Sequence, residues 1–154
     1  MAHKTTAVVD GSNVITANIG EKAFFRVNRI INVINKLKKL GYTNKVGMKA
    51  KTYNYIIHHA PEDKIDEADK KTLIELHENL EISLLNKDAD DHWLHLGAIE
   101  FDAYILSHDK FRKEIEHWEE EGRHDLAEEI KSRRITLEFF EDAPIFELPD
   151  ISEM

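Results

Sequence analysis

The chain has 154 residues, 42% hydrophobic and 33% charged, with 21 Lys and Arg against 30 Asp and Glu for a net charge of −9, and it has no cysteine. That length buries a core without covalent staples. The lack of cysteine excludes disulfides, Cys-based zinc sites and thiol catalysis, which fits a cytoplasmic protein. No stretch approaches the roughly 20 apolar residues needed to cross a bilayer, and the first residues lack a secretory pattern, so no membrane partner is expected.

The charge is unevenly spread. Residues 1–60 hold ten Lys and Arg against two acids, Asp10 and Glu21, whereas residues 61–154 hold eleven against twenty-eight. A chain so polarised can present a basic face to phosphates and stay acidic elsewhere. Two separately solvated halves are the plainer alternative.

In chain order, the β-branched run over 5–9 reads as a buried strand that stops at Asp10-Gly11. Ser12 and Asn13 follow on a loop. Residues 21–40 carry Ala23, Val27, Ile30, Ile34 and Leu37 at helical spacing, with lysines in the last turn and Gly41 as a stop. Residues 49–58, rich in Tyr, Thr and Ile, read as a second strand. A helix over 66–80 and a third strand over 81–85 follow Pro61. Residues 90–101 form a helix, and 103–107 a fourth, wholly apolar strand. Helices over 110–121 and 125–132 precede a fifth strand over 134–140 and an extended surface tail. Strand and helix alternate throughout, which predicts one α/β domain over 1–154: a parallel sheet with helices on both faces, in three layers.

Three acidic clusters then fall on the carboxyl edge of the sheet, where open parallel sheets bind ligands. Asp10 ends the first strand, Asp90 and Asp91 follow the third, and Asp109 ends the fourth. Carboxylates gathered in one crevice repel one another unless a cation neutralises them. Mg²⁺ and Mn²⁺ prefer carboxylate and water ligands, and such a metal lowers the pKa of a bound water and steadies charge developing on a phosphodiester. The plain alternative for each acid is a helix cap.

The residues Val8-Val9-Asp10-Gly11-Ser12-Asn13-Val14, then Asp90-Asp91, then Ser107-His108-Asp109-Lys110-Phe111-Arg112 resemble the NYN branch of the PIN-domain ribonucleases, closest to the Regnase (MCPIP, Zc3h12a-type) nuclease domain. The last strand and its Pro-containing exit resemble it as well. The resemblance implies a PIN-like five-stranded sheet in order 3-2-1-4-5 and a Mg²⁺- or Mn²⁺-dependent endoribonuclease acting on single-stranded RNA. Asp10, Asp90, Asp91 and Asp109 are then the metal and catalytic residues, with Asn13 supporting Asp10. The sequence departs from the family at His92, His108 and Lys113, where Arg, Asn and an acid are usual.

Ser12 and the basic residues Arg26, Arg29 and Lys36 are the expected RNA contacts. If 49–58 is a strand, alternation points Tyr53 and Tyr55 to one face, for core packing or for base stacking. An Asp91, His92 and His95 metal site is weaker, since no further His is well placed. There is no GxxxxGK[ST], GxGxxG or GxSxG, which disfavours P-loop and serine-hydrolase chemistry. A non-cleaving RNA- or protein-binding module is the alternative function, and self-association is left open.

Overall fold

The computed structural model describes residues 4–19, 22–85 and 93–153. Strand β1 (Thr6–Asp10) lies at the centre of a five-stranded parallel sheet. Its Ala7, Val8 and Val9 are fully buried, Val8 toward one face and Ala7 and Val9 toward the other. Period-two alternation buries both faces at once because helices cover both. Each buried valine contributes about 1.5–3 kcal/mol.

A short helix α1 (Gly11–Ile15) follows, then a hairpin of β2 (Thr16–Ile19) and β3 (Lys22–Phe25). Helix α2 (Val27–Leu40) buries Val27, Ile30, Val33, Ile34 and Leu37 and ends at Gly41, which is left-handed at φ +96°. The helix expected from residue 21 thus starts only at Val27. Ala23 belongs to the hairpin, whose pairing satisfies the backbone there.

The second sheet strand is β4 (Thr43–Lys49), paired with β1 from Thr6↔Thr43 to Asp10↔Gly47. The expected strand over 49–58 is instead helix α3 (Ala50–His58), which buries Tyr53 and Ile56 three residues apart. Burial along one helical stripe overrides the β propensity of Tyr, Thr and Ile. Tyr53 and Tyr55 therefore do not share a face: Tyr53 is in the core, and Tyr55 is 40% exposed.

Asp66 caps α4 (Glu67–Glu78) by accepting the Asp69 N–H at 2.7 Å. Leu80, the last residue of the helix expected over 66–80, lies past the helix end and is exposed. Strand β5 (Ile82–Leu85), helix α5 (Trp93–Glu100), strand β6 (Tyr104–Ser107) and helices α6 (Arg112–Glu120) and α7 (His124–Arg133) follow. His95 is buried.

Strand β7 (Arg134–Thr136) completes the sheet, whose order is β5-β4-β1-β6-β7. Numbered within the sheet, this is the expected 3-2-1-4-5, with 43–49 in place of 49–58. The expected fifth strand over 134–140 divides. Leu137 N–H donates to Ser107 O, and the chain then leaves the sheet into a hairpin of β8 (Glu138–Phe140) and β9 (Ala143–Ile145).

Candidate active site

The sheet reverses its winding between β1 and β6, and this switch point places the ends of both strands side by side. Asp10 ends β1 and caps α1, its Oδ1 accepting the Asn13 N–H at 3.3 Å. Its other oxygen, Oδ2, lies 3.4 Å from the Ser107 hydroxyl. Ser107 ends β6, is fully buried, and accepts the Asp109 N–H at 3.1 Å. Asn13 Oδ1 accepts the His108 N–H at 3.0 Å and lies 3.4 Å from Ser107 Oγ. The single hydroxyl proton is thus shared between Asp10 and Asn13.

Two local devices hold this arrangement. A Cβ on Gly11 would sit 2.8 Å from Gly47 O, so only glycine lets α1 start against β4. After β6, Asp109 Oδ1 accepts the Phe111 N–H at 2.8 Å. That turn keeps Phe111 left-handed at φ +56°, at a cost of about 1–2 kcal/mol. Burying the Phe111 ring against His95, 4.7 Å between centroids, offsets that cost.

Burial pushes the Asp10 carboxyl above its ordinary 3.8. The Asn13 N–H, the Ser107 hydroxyl and the Lys49 charge oppose this, and the Asp109 charge adds to it. A carboxylate that resists ionisation beside a second carboxylate favours a cation between them. Among the described residues no group of three or more His, Asp or Glu side chains could hold a metal ion. Two carboxylates do suffice for Mg²⁺, which keeps several waters and takes further ligands from a substrate phosphate. The donor set fits a hard divalent cation.

A cleft of about 730 Å³ opens over these residues. Asp10, Ser12, Asn13, Arg29 and Asp109, all expected at the site, line it. Asp90 and Asp91 lie outside the described residues. Arg26 and Lys36 line no part of the cleft. Arg26 Nε lies 3.3 Å from Asp142 Oδ1. Lys36 Nζ donates to Phe146 O at 3.0 Å and stands 4.1 Å from the Phe146 ring centroid. Both hold the C-terminal segment against α2. Arg29 does so too, donating to Glu141 O at 2.7 Å and lying over the Phe139 ring at 4.5 Å.

Lys49 and Thr52 also line the cleft but were not among the expected site residues. Lys49 ends β4, next to Asp10, and its backbone N–H donates to Ser12 Oγ at 2.9 Å. Placing the second strand at 49–58 put Lys49 at the wrong end of a strand and hid it. Ser107 belongs to the motif around Asp109, but only the fold shows it buried between the two loops and bonded to both.

The family model described as Zc3h12a-like Ribonuclease NYN domain matches residues 3–153. No curated protein matches the chain by sequence. Among solved structures, nuclear proteinaceous RNase P 2 (PRORP2) from A. thaliana is similar, with a TM-score of 0.67 and 14% identity. The match covers 94% of this chain and 30% of that one. A second structure of Arabidopsis thaliana nuclear protein-only RNase P 2 (PRORP2) gives a TM-score of 0.66 and 17% identity over the same shares, 94% and 30%. The chain thus spans about 30% of the length of these structural relatives, and the likeness is one of fold.

Proposed function

Because this chain belongs to the family of Zc3h12a-like ribonuclease NYN domains, we propose that residues 1–154 form one cytoplasmic nuclease domain that hydrolyses single-stranded RNA with Mg²⁺ or Mn²⁺. The observation that carries this reading is the buried Ser107 hydroxyl between the Asp10 carboxylate and the Asp109 amide, which ties two acids together at the switch point of the sheet.

Asp10 and Asp109 hold the cation, and Asp90 and Asp91 complete the set. When bound, the cation supplies an activated water and neutralises charge developing on the phosphodiester. Asn13 fixes the β6 loop by accepting the His108 N–H, so Asp109 stays opposite Asp10. Lys49 meets the backbone phosphates, together with Ser12 and the first amides of α3. Lys49, at the start of that helix, gives those N–H groups no side-chain cap, and a helix N-terminus favours an anion.

The experiment is incubation of the protein with single-stranded RNA in Mg²⁺ or Mn²⁺, with and without EDTA. Cleavage in either metal that EDTA abolishes is the expected result. RNA that is bound but stays intact in both metals would instead make this a non-cleaving RNA-binding module.

A further inference from the structure

Outside the cleft, four rings form a chain of neighbours. The Phe25 ring is 6.0 Å from Tyr55, Tyr55 is 6.4 Å from His59, and His59 is 6.4 Å from His58, between centroids. Tyr55, His58 and His59 are exposed. The core does not need these three rings, because Tyr53 and Ile56 take the buried side of α3.

Both elements that carry these rings reach the cleft, α3 at its start and β3 at its end. Thr52 and Tyr55, three residues apart, share one side of α3, His59 follows its last residue and keeps its ring beside Tyr55, and Thr52 lines the cleft. Phe25 pairs with Thr16, which also lines the cleft. From Thr52 to its last residue, His58, the helix rises about 9 Å. The rings therefore continue the cleft outward rather than forming a separate patch.

We propose that this stripe is a binding subsite on which unpaired bases flanking the cleavage point stack, chiefly on Tyr55 and His59. The inference rests on the single-stranded RNA reading above and deepens it. Every base has a π-face, so stacking on aromatic and histidine rings holds a single strand without reading its sequence. Charge favours RNA over a protein surface. Helix α3 carries no acid, Lys51 is exposed in its first turn, and Lys49 stands at its start. Phosphates are held at the cleft end of the helix and bases along its length.

The test is equilibrium binding in EDTA, so that no strand is cut, at one ionic strength. A labelled strand of about 12 nucleotides is compared with the same strand made abasic at its flanking positions. The proteins are the wild type, Tyr55→Leu, which keeps the apolar packing on Phe25 but removes the ring, and His59→Ala at an exposed position. Tyr55→Leu should weaken binding of the intact strand by about 5-fold to about 100-fold. Abasic RNA should bind the wild type weakly too, and the two losses should not add. Intact RNA that binds Tyr55→Leu and His59→Ala as well as wild type overturns this inference alone and leaves the rings to a protein partner. Equal losses on intact and abasic strands also overturn it, because the ring would then act through the fold. A wild type that binds no RNA overturns the function reading with it.

Discussion

The Ser107 hydroxyl and the Asp10 carboxylate, 97 residues apart in sequence, lie 3.4 Å from each other at the ends of adjacent strands. The same oxygen accepts the Asp109 N–H, so one buried group positions both acids. Ser107→Ala leaves that amide without its acceptor, which costs about 1–3 kcal/mol of stability. It also loosens both carboxylates, and metal-dependent cleavage should fall about 10-fold to 100-fold, as for other supporting residues of metal sites. Denaturant melts and initial rates check this, and wild-type values in both would remove Ser107 from the site.

Asp10→Asn separates a catalytic acid from a cap. The carboxyl of Asp10 is raised by burial, so the unfolded chain loses this proton at lower pH than the folded one. Its ionisation therefore costs the fold nothing below pH 3.8, and the cost grows as pH rises through the higher folded value. Asparagine caps equally well and carries no charge. In EDTA near pH 7 the variant should melt at or above the wild-type temperature, and the gap should narrow towards about pH 4. Cleavage should be lost, and the Mn²⁺-induced rise in melting temperature should be lost with it. A variant that still cleaves and melts lower would make Asp10 only a cap.

Lys49 and the α2 cations should respond differently to charge reversal. Lys49→Glu should weaken RNA binding and reduce the salt slope by about 1, with an unchanged melting temperature. Reversing Arg26, Arg29 and Lys36 together removes the partners of Asp142, Glu141 O and Phe146 O, so the melting temperature should drop. Binding titrations over a salt series, paired with melting curves, distinguish the two. A stable triple variant with a reduced salt slope would return the phosphate contacts to α2.

Gly11→Ala tests the approach of α1 to β4. The added methyl would meet the Gly47 carbonyl, a backbone group that cannot turn aside. Overpacking of this kind costs about 1–3 kcal/mol, and here it also moves Asp10. Both melting temperature and cleavage should fall, and a variant as stable as wild type would show that α1 has room to shift.

Much of the fold was legible in the sequence. Short strands alternating with amphipathic helices dictate a parallel sheet covered on both faces, because each apolar face must be buried against another layer. The β1, β5, β6 and β7 strands were found on that basis. The place of Asp10 and Asp109 at the carboxyl edge of the sheet was legible too, because a carboxylate at or just after the end of an apolar strand is conspicuous. The resemblance carried by those motifs supplied the strand order.

The rest was decided by tertiary structure. Residues 43–49 and 49–58 compete for one place beside β1, and β propensity alone favours the Tyr-rich segment. In the fold, Val46 and Met48 fill the sheet position, while Tyr53 and Ile56 pack as a helical stripe. That choice alone brings Lys49 and Thr52 to the cleft and turns Tyr55 outward. The basic residues of α2 were equally ambiguous, since a lysine exposes the same sequence signal whether it meets a phosphate or a carbonyl. Arg26 and Lys36 were claimed by Asp142 and Phe146, more than a hundred residues away, and local sequence holds no record of so distant a contact.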